Sequence, residues 1–178
     1  MGETVLILGA GAIGILIAAV CRQNGASRII VSDYSQPRLD MALAMGATGA
    51  INPGKEDYEQ TLSRLTGGKG VDKSFECVGL ETTFLQAMTA LRRGGLATIV
   101  GIFEQPDIRI PASRFVSHEI RVQGAQGYCW DFPLALELSA RIDLEKLVTH
   151  SFPLGDLQQA LETCLDRDAG SIKVLLRP

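Results

Sequence analysis

The stretch from Glu3 to Gly14, E-T-V-L-I-L-G-A-G-A-I-G, constrains this chain more than any other. Val5, Leu6, Ile7 and Leu8 form an unbroken apolar run, the pattern of a strand buried on both faces of a parallel sheet. Gly9-Ala10-Gly11-Ala12-Ile13-Gly14 follows at once and reads G-x-G-x-x-G, and an apolar helical stretch runs from Ile13 through Val20. In such a turn the first glycine lets the chain leave the strand sharply. The second leaves the backbone open to a pyrophosphate, and the third lets the helix pack close to the strand. The helix N-terminus adds free N–H groups and a partial positive charge. A lone motif of this kind is weak, but here a strand precedes it, a helix follows it, and an acid stands at the right distance. The second strand, Arg28 to Ser32, ends on Asp33, about 20 positions beyond the last glycine, where an acid meets a ribose. Asp33 can accept hydrogen bonds from the adenosine ribose hydroxyls and would repel the 2′-phosphate of NADP. The turn therefore implies a dinucleotide site suited to NAD.

The rest of the chain repeats the strand–helix alternation. A helix is expected over Pro37 to Met45, stopped by Gly46, then a short strand at Ala50-Ile51 ended by Asn52-Pro53-Gly54. Tyr58 to Leu65 reads as a helix and Val71 to Val78 as the fourth strand. Glu81 to Leu91 reads as a helix closed by a Gly94-Gly95 turn, and Leu96 to Val100 as the fifth strand. Ile120 to Gln123 is the sixth, with a helix over Pro133 to Arg141. This alternation implies right-handed crossovers and a doubly wound, six-stranded parallel α/β sheet, the Rossmann arrangement, in the order 3-2-1-4-5-6. Ligands of such sheets bind beyond the carboxyl ends of the strands, where the order reverses. Those ends are Gly9 to Gly14, Asp33, Cys77-Val78-Gly79 and Val100-Gly101-Ile102. Residues 1–141 are thus expected to form the dinucleotide-binding domain. In residues 142–178 the pattern changes to a strand over Leu147 to Phe152, a helix with Leu157, Ala160, Leu161 and Cys164 on one side, and a closing strand over Ile172 to Leu176.

Bulk properties exclude several classes. The 178 residues carry a formal net charge of −3, so there is no basic footprint for nucleic acid. No apolar run approaches the ~18–20 residues of a membrane span, and the first residues lack the basic region and cleavage site of a signal peptide. Cys21, Cys77, Cys129 and Cys164 are scattered without a C-x-x-C pair, which suggests reduced thiols in a cytoplasmic protein, with Cys21 and Cys77 in the core. His118 and His150 have no partner at metal-ligand spacing.

Taken in order, V-L-I-L-G-A-G-A-I-G, S-D-Y-S-Q-P-R-L-D-M-A-L-A-M-G-A, G-V-D-K-S-F-E-C-V-G, G-G-L-A-T-I-V-G-I-F-E, L-V-T-H-S-F-P-L-G-D-L-Q-Q-A-L-E and S-I-K-V-L-L resemble the coenzyme-binding half of zinc-dependent medium-chain alcohol and polyol dehydrogenases. The stretches I-F-E-Q-P and E-I-R-V-Q-G-A-Q-G-Y look most like the butanediol and sorbitol dehydrogenase branch. The resemblance implies that Ala12 belongs to the phosphate turn and that Ile13 lies against the cofactor. It puts Arg38 at the adenosine ribose or its phosphate side. Val100, Gly101 and Ile102 match the segment beside the nicotinamide, and Gln126, Gly127 and Tyr128 a loop at that same end. Lys173 matches a basic residue reaching the pyrophosphate, as a point charge where some relatives have the bidentate arginine. It also implies a homodimer joined through the edge strand 120–123.

The family carries its catalytic zinc in a preceding domain whose cysteine, histidine and glutamate ligands find no match here. The expected role is therefore NAD(H) binding within a zinc-dependent dehydrogenase, with zinc held by that other domain. The tail is the part that in relatives returns to it, and the chain alone is expected not to turn over an alcohol. A stand-alone regulatory module, such as the NAD-sensing domains of potassium transport systems, shares the first βαβ unit and the acid. It leaves the I-V-G-I-F segment and the tail unexplained. A zinc-independent NADPH reductase of the same superfamily is disfavoured by Asp33.

Overall fold

The computed structural model describes residues 2–166 and 168–178. Six strands, β1 (Thr4–Leu8), β2 (Arg28–Ser32), β3 (Gly49–Ile51), β4 (Val71–Glu76), β5 (Leu91–Ile99) and β6 (Arg121–Gly124), form one parallel sheet in the order β3-β2-β1-β4-β5-β6. The expected strand order is the observed one. Strand β1 is the hinge of this order. It pairs with β2 on one side, Leu6 opposite Ile30, and with β4 on the other, Leu6 opposite Ser74.

Alternate residues of the central strands feed two cores. Leu6, Leu8 and Ile30 join Leu62 of α3 (Tyr58–Thr66) and Phe84, Ala87 and Met88 of α4 (Glu81–Thr89). Val5, Ile7, Ile29 and Val31 join Ile15 and Ala18 of α1 (Ala12–Gln23) and Leu39 and Ala42 of α2 (Gln36–Ala44). A strand covered on both faces must be apolar at every position, and that is why β1 reads as a continuous run. Each fully buried Leu or Ile contributes about 1.5–3 kcal/mol from area removed from water.

Several boundaries differ from the sequence expectation. Strand β4 ends at Glu76, two residues early, because the Val78 and Gly79 N–H groups turn back onto the Glu76 side chain. Helix α4 stops at Thr89, and Gly94-Gly95 lies inside β5 instead of forming a turn before it. The pairing jumps from Val71–Leu91 to Lys73–Leu96, so Arg92 to Gly95 form a bulge, a device glycine permits within a strand. A short helix α5 (Ser113–His118), unforeseen in the sequence, precedes β6. Helix α6 covers Phe132–Ser139.

In the tail, a 3-10 turn at Leu144–Leu147 leads into β7 (Val148–Pro153), α7 (Leu157–Leu165) and β8 (Lys173–Arg177). Strands β7 and β8 pair in parallel as a separate two-stranded sheet. Leu147 and Ile172 pack on the α1–α2 core, and Gln23 Nε2 donates to the Arg141 carbonyl. Of the expected apolar face of α7 only Ala160 is buried; Leu157, Leu161 and Cys164 are exposed. Cys21 and Cys77 are half-buried against the α1–α2 core.

One polar tie closes the amino-terminal edge of the sheet. The Thr4 N–H donates to Asp72 Oδ2 at 2.7 Å, and Arg92 Nε to Asp72 Oδ1 at 2.6 Å. Burial alone would raise the Asp72 carboxyl; these hydrogen bonds and the Arg92 charge outweigh it and hold the group below its ordinary 3.8. A carboxyl lowered in the folded state adds stability that is present above its unfolded pKa and is lost as pH falls through the folded one. Denaturant titrations of the wild type and Asp72→Asn should therefore differ at neutral pH and converge as pH falls below about 4. A gap that stays constant down to pH 2 would show that the charge of Asp72 contributes nothing.

Candidate functional site

The carboxyl ends of β1, β2, β4 and β5 converge at the point where the strand order reverses between β1 and β4. The Gly9 N–H donates to the Ser32 carbonyl, the Cys77 N–H to the Leu8 carbonyl, and the Val100 and Gly101 N–H groups to the Glu76 carbonyl. These crossed bonds set four loops side by side.

The glycine turn is built as its spacing predicts. Gly9 has φ +98°, a conformation side chains rarely adopt. A Cβ on Gly14 would strike the Gly9 carbonyl oxygen, so helix α1 can start this close to β1 only without one. Gly11 is the N-cap of α1, and a Cβ built there meets nothing within 4 Å. The space above it is open, as a cradle for a ligand requires. The first-turn N–H groups of a helix have no acceptor within it, and such an N-terminus is suited to an anion. Ala12 is half-buried and Ile13 is exposed at this end.

Asp33 is drawn into the turn. Its Oδ2 accepts from the Ala10 N–H at 2.7 Å, and its Oδ1 from the Ser35 N–H at 2.8 Å. A carboxylate offers about four acceptor positions, so two oxygens fixed by backbone donors still have lone pairs for a vicinal diol. Ala10 and Ser35 were not legible as site residues; their contribution is a backbone N–H, which any residue but proline carries.

Arg38 lies on the same side, in the first turn of α2, and its Nε donates to the Ser171 carbonyl at 2.9 Å. The tail thus reaches the helix that follows Asp33. Gly170 packs so closely on Pro37 that a Cβ there would come within 2.8 Å of the proline Cβ. Lys173, at the start of β8, is exposed.

At the other end, Val78 is exposed and its Cγ2 stands 2.8 Å from where a Cβ on Gly9 would be. Val100 and Gly101 are half-buried and Ile102 is exposed. Gln126, Gly127 and Tyr128 follow β6 and are exposed, with Tyr128 set edge-to-face on Phe132. The Ala125 N–H donates to the Ile99 carbonyl, which ties the start of this loop to the end of β5. Among the described residues no group of three His, Cys, Asp or Glu side chains could hold a metal ion, and no helix is long and apolar enough to cross a membrane.

The fold and this turn define a Rossmann-type nucleotide-binding unit. Comparison with known proteins narrows the class: the zinc-binding dehydrogenase family model matches residues 12–141. The chain belongs to that family. It is 31% identical over 176 residues to the L-threonine 3-dehydrogenase of Shewanella woodyi, covering 97% of this chain and 51% of that protein. Among solved structures, 2R,3R-butanediol dehydrogenase from Bacillus subtilis is 30% identical, with a TM-score of 0.86 and coverage of 99% of this chain and 49% of the other. A zinc-binding dehydrogenase of Sinorhizobium meliloti, solved bound to NADP, is 27% identical with a TM-score of 0.86, covering 99% and 53%. The chain spans about half the length of these relatives.

Cys77 follows β4 directly and is half-buried. Burial, with Glu76 beside it adding to the effect, pushes its thiol up to about 12. At pH 8 it is protonated and a poor nucleophile. Iodoacetamide followed by mass spectrometry should label the exposed Cys129 and Cys164 first and Cys77 far more slowly. Equal labelling of Cys77 would show that this part of the cleft opens readily.

Proposed function

We propose that the chain is the NAD(H)-binding part of a zinc-dependent alcohol or polyol dehydrogenase. The observation that carries the reading is the Asp33 carboxylate, locked by the Ala10 N–H beside an open helix N-terminus. In this reading Gly9, Gly11, Ala12, Ile13 and Gly14 receive the pyrophosphate on backbone N–H groups, with Lys173 as a nearby cation. Asp33 accepts from the adenosine ribose, and Arg38 stands beside it. Cys77, Val78, Val100, Gly101, Ile102, Gln126, Gly127 and Tyr128 form the nicotinamide end. When bound, the nicotinamide exchanges a hydride with a secondary alcohol or its ketone. What this chain's own residues do is bind, orient and space that coenzyme.

Zinc, the Lewis acid of the family's reaction, is assigned to the catalytic domain that relatives carry. Residues 142–178 are assigned to the return toward that domain, and the chain by itself to binding without turnover. The scattered free cysteines suit the cytoplasm. A regulatory NAD-sensing module is the second reading, and no observation favours it over the first.

A relative was solved bound to NADP, so family membership alone does not choose the coenzyme, and the choice rests on local charge. Asp33 sits where a 2′-phosphate would lie and favours NADH. Fluorescence titration should show tighter binding of NADH than NADPH, and Asp33→Ala should weaken NADH by about 1–3 kcal/mol and narrow the gap. Equal or tighter NADPH binding by the wild type would refute the preference.

We further propose a homodimer through the sheet edge at residues 120–123. Strand β6 is terminal in the sheet, and an unpaired edge invites a second copy. The Ala125 N–H points to β5; since strand groups alternate, Val122 turns its N–H outward. Val122→Pro therefore removes an edge donor while sparing the β5–β6 ladder. Light scattering should give a dimer for the wild type and a monomer for the variant. A dimer that survives the proline would place the contact elsewhere.

A further inference from the structure

We propose that Glu76 is a positioning residue for the nicotinamide end of the cleft, a role that rests on reading the cleft as the coenzyme site. Glu76 is the last residue of β4 and is fully buried, at 0% exposure. It sits opposite Leu8 of β1 and Ile99 of β5, in the middle of the sheet beside the switch point. An apolar side chain would serve the core better there, since burying a carboxyl is costly unless it is well partnered.

What the carboxyl does instead is collect loop atoms. Its Oε1 accepts from the Val78 N–H at 2.8 Å, the Gly79 N–H at 2.9 Å and the Thr83 hydroxyl at 2.7 Å. Its main-chain carbonyl accepts from the Val100 N–H at 2.8 Å and the Gly101 N–H at 2.9 Å. One residue therefore holds both the loop after β4 and the loop after β5.

The second carboxyl oxygen, Oε2, is buried and has no hydrogen-bond partner among the described residues. A Cβ on Gly101 would stand 2.5 Å from it and would also strike the Gly79 N. A Cβ on Gly79 would in turn strike the Ile102 carbonyl oxygen. The two loops interlock through glycines, with Oε2 as the spacer beneath Gly101. This arrangement sets how far Val78 and Ile102, both exposed, stand apart at the mouth. Glu76 touches the loops and acts on the coenzyme only through them.

The role separates from that of Asp33 because the two acids serve opposite ends of one ligand. NADH reaches both ends, whereas ADP-ribose lacks the nicotinamide. In calorimetric titrations of the full chain, Glu76→Ala should weaken NADH about tenfold or more and leave ADP-ribose within about twofold of the wild type. The emission maximum of bound NADH, which reports the surroundings of the nicotinamide, should move back toward that of free NADH. Glu76→Gln keeps one acceptor oxygen for Val78, Gly79 and Thr83 and should recover most of the NADH affinity. Thr83→Val, which removes one bond at less risk to folding, should show a smaller loss in the same direction. Asp33→Ala, the control, should weaken both ligands alike.

Equal losses of NADH and ADP-ribose in the Glu76 and Thr83 variants would reduce Glu76 to general stability and overturn the proposal. So would unchanged NADH affinity and emission in Glu76→Ala. A wild-type chain that binds neither ligand would overturn the coenzyme reading itself, and this proposal with it. A chain that binds both, with only the Asp33 variant affected, would retain the reading and reject the role of Glu76.

Discussion

Strand β1 is hydrogen-bonded along both edges and buried on both faces, and the site depends on that confinement. Its five residues have no freedom to shift register: Leu6 and Leu8 belong to one core, Val5 and Ile7 to the other, and a slip by one residue would exchange every side chain between them. A fixed β1 fixes the point at which the chain must leave the sheet. Gly9 and Gly14 then pass within contact of each other, and the N-terminus of α1 opens over the carboxyl edge of the strands.

Two acids convert this backbone geometry into a cleft with chemistry. Asp33 is partly exposed and bridges the glycine turn to the loop after β2, with acceptor capacity left over for a ligand. Glu76 is buried and turns its carboxyl inward, onto the Val78 and Gly79 amides of the next loop and the Thr83 hydroxyl, while its main-chain carbonyl takes the Val100 and Gly101 amides. The contrast follows from position. Asp33 lies one residue past the end of β2, where solvent reaches it; Glu76 is still within β4, flanked by β1 and β5. The tail adds a third tie at the far end, where the Ser171 carbonyl takes the Arg38 guanidinium and Gly170 lies on Pro37. A segment distant in sequence is thereby tied to the helix that follows Asp33.

Family membership and half-length coverage fit this division of labour. A nucleotide-binding unit can be specified almost entirely by backbone donors, small residues and one acid, so it tolerates sequence identities near 30% while keeping TM-scores near 0.86. Substrate choice depends on side chains that shape a pocket. Val78, Ile102 and Tyr128 are exposed large side chains in the loops after β4, β5 and β6.

The sequence by itself determined the strand order, the glycine turn and Asp33, because each rests on a local rule: an apolar run demands two-sided burial, a missing Cβ permits close approach, and a fixed spacing brings an acid to the end of the next strand. The bulge at Gly94-Gly95, the parallel pairing of β7 with β8, the Arg38–Ser171 tie and the role of Glu76 were decided only by the tertiary structure. Their partners lie far apart in the chain or are backbone groups without a residue-type signature. Glu76 shows the limit most clearly. In sequence it is one acid inside F-E-C-V-G, indistinguishable from a solvated strand residue. Only the packing of β1 and β5 on either side buries it, and burial makes the bonds of its Oε1 to the Val78 and Gly79 amides matter.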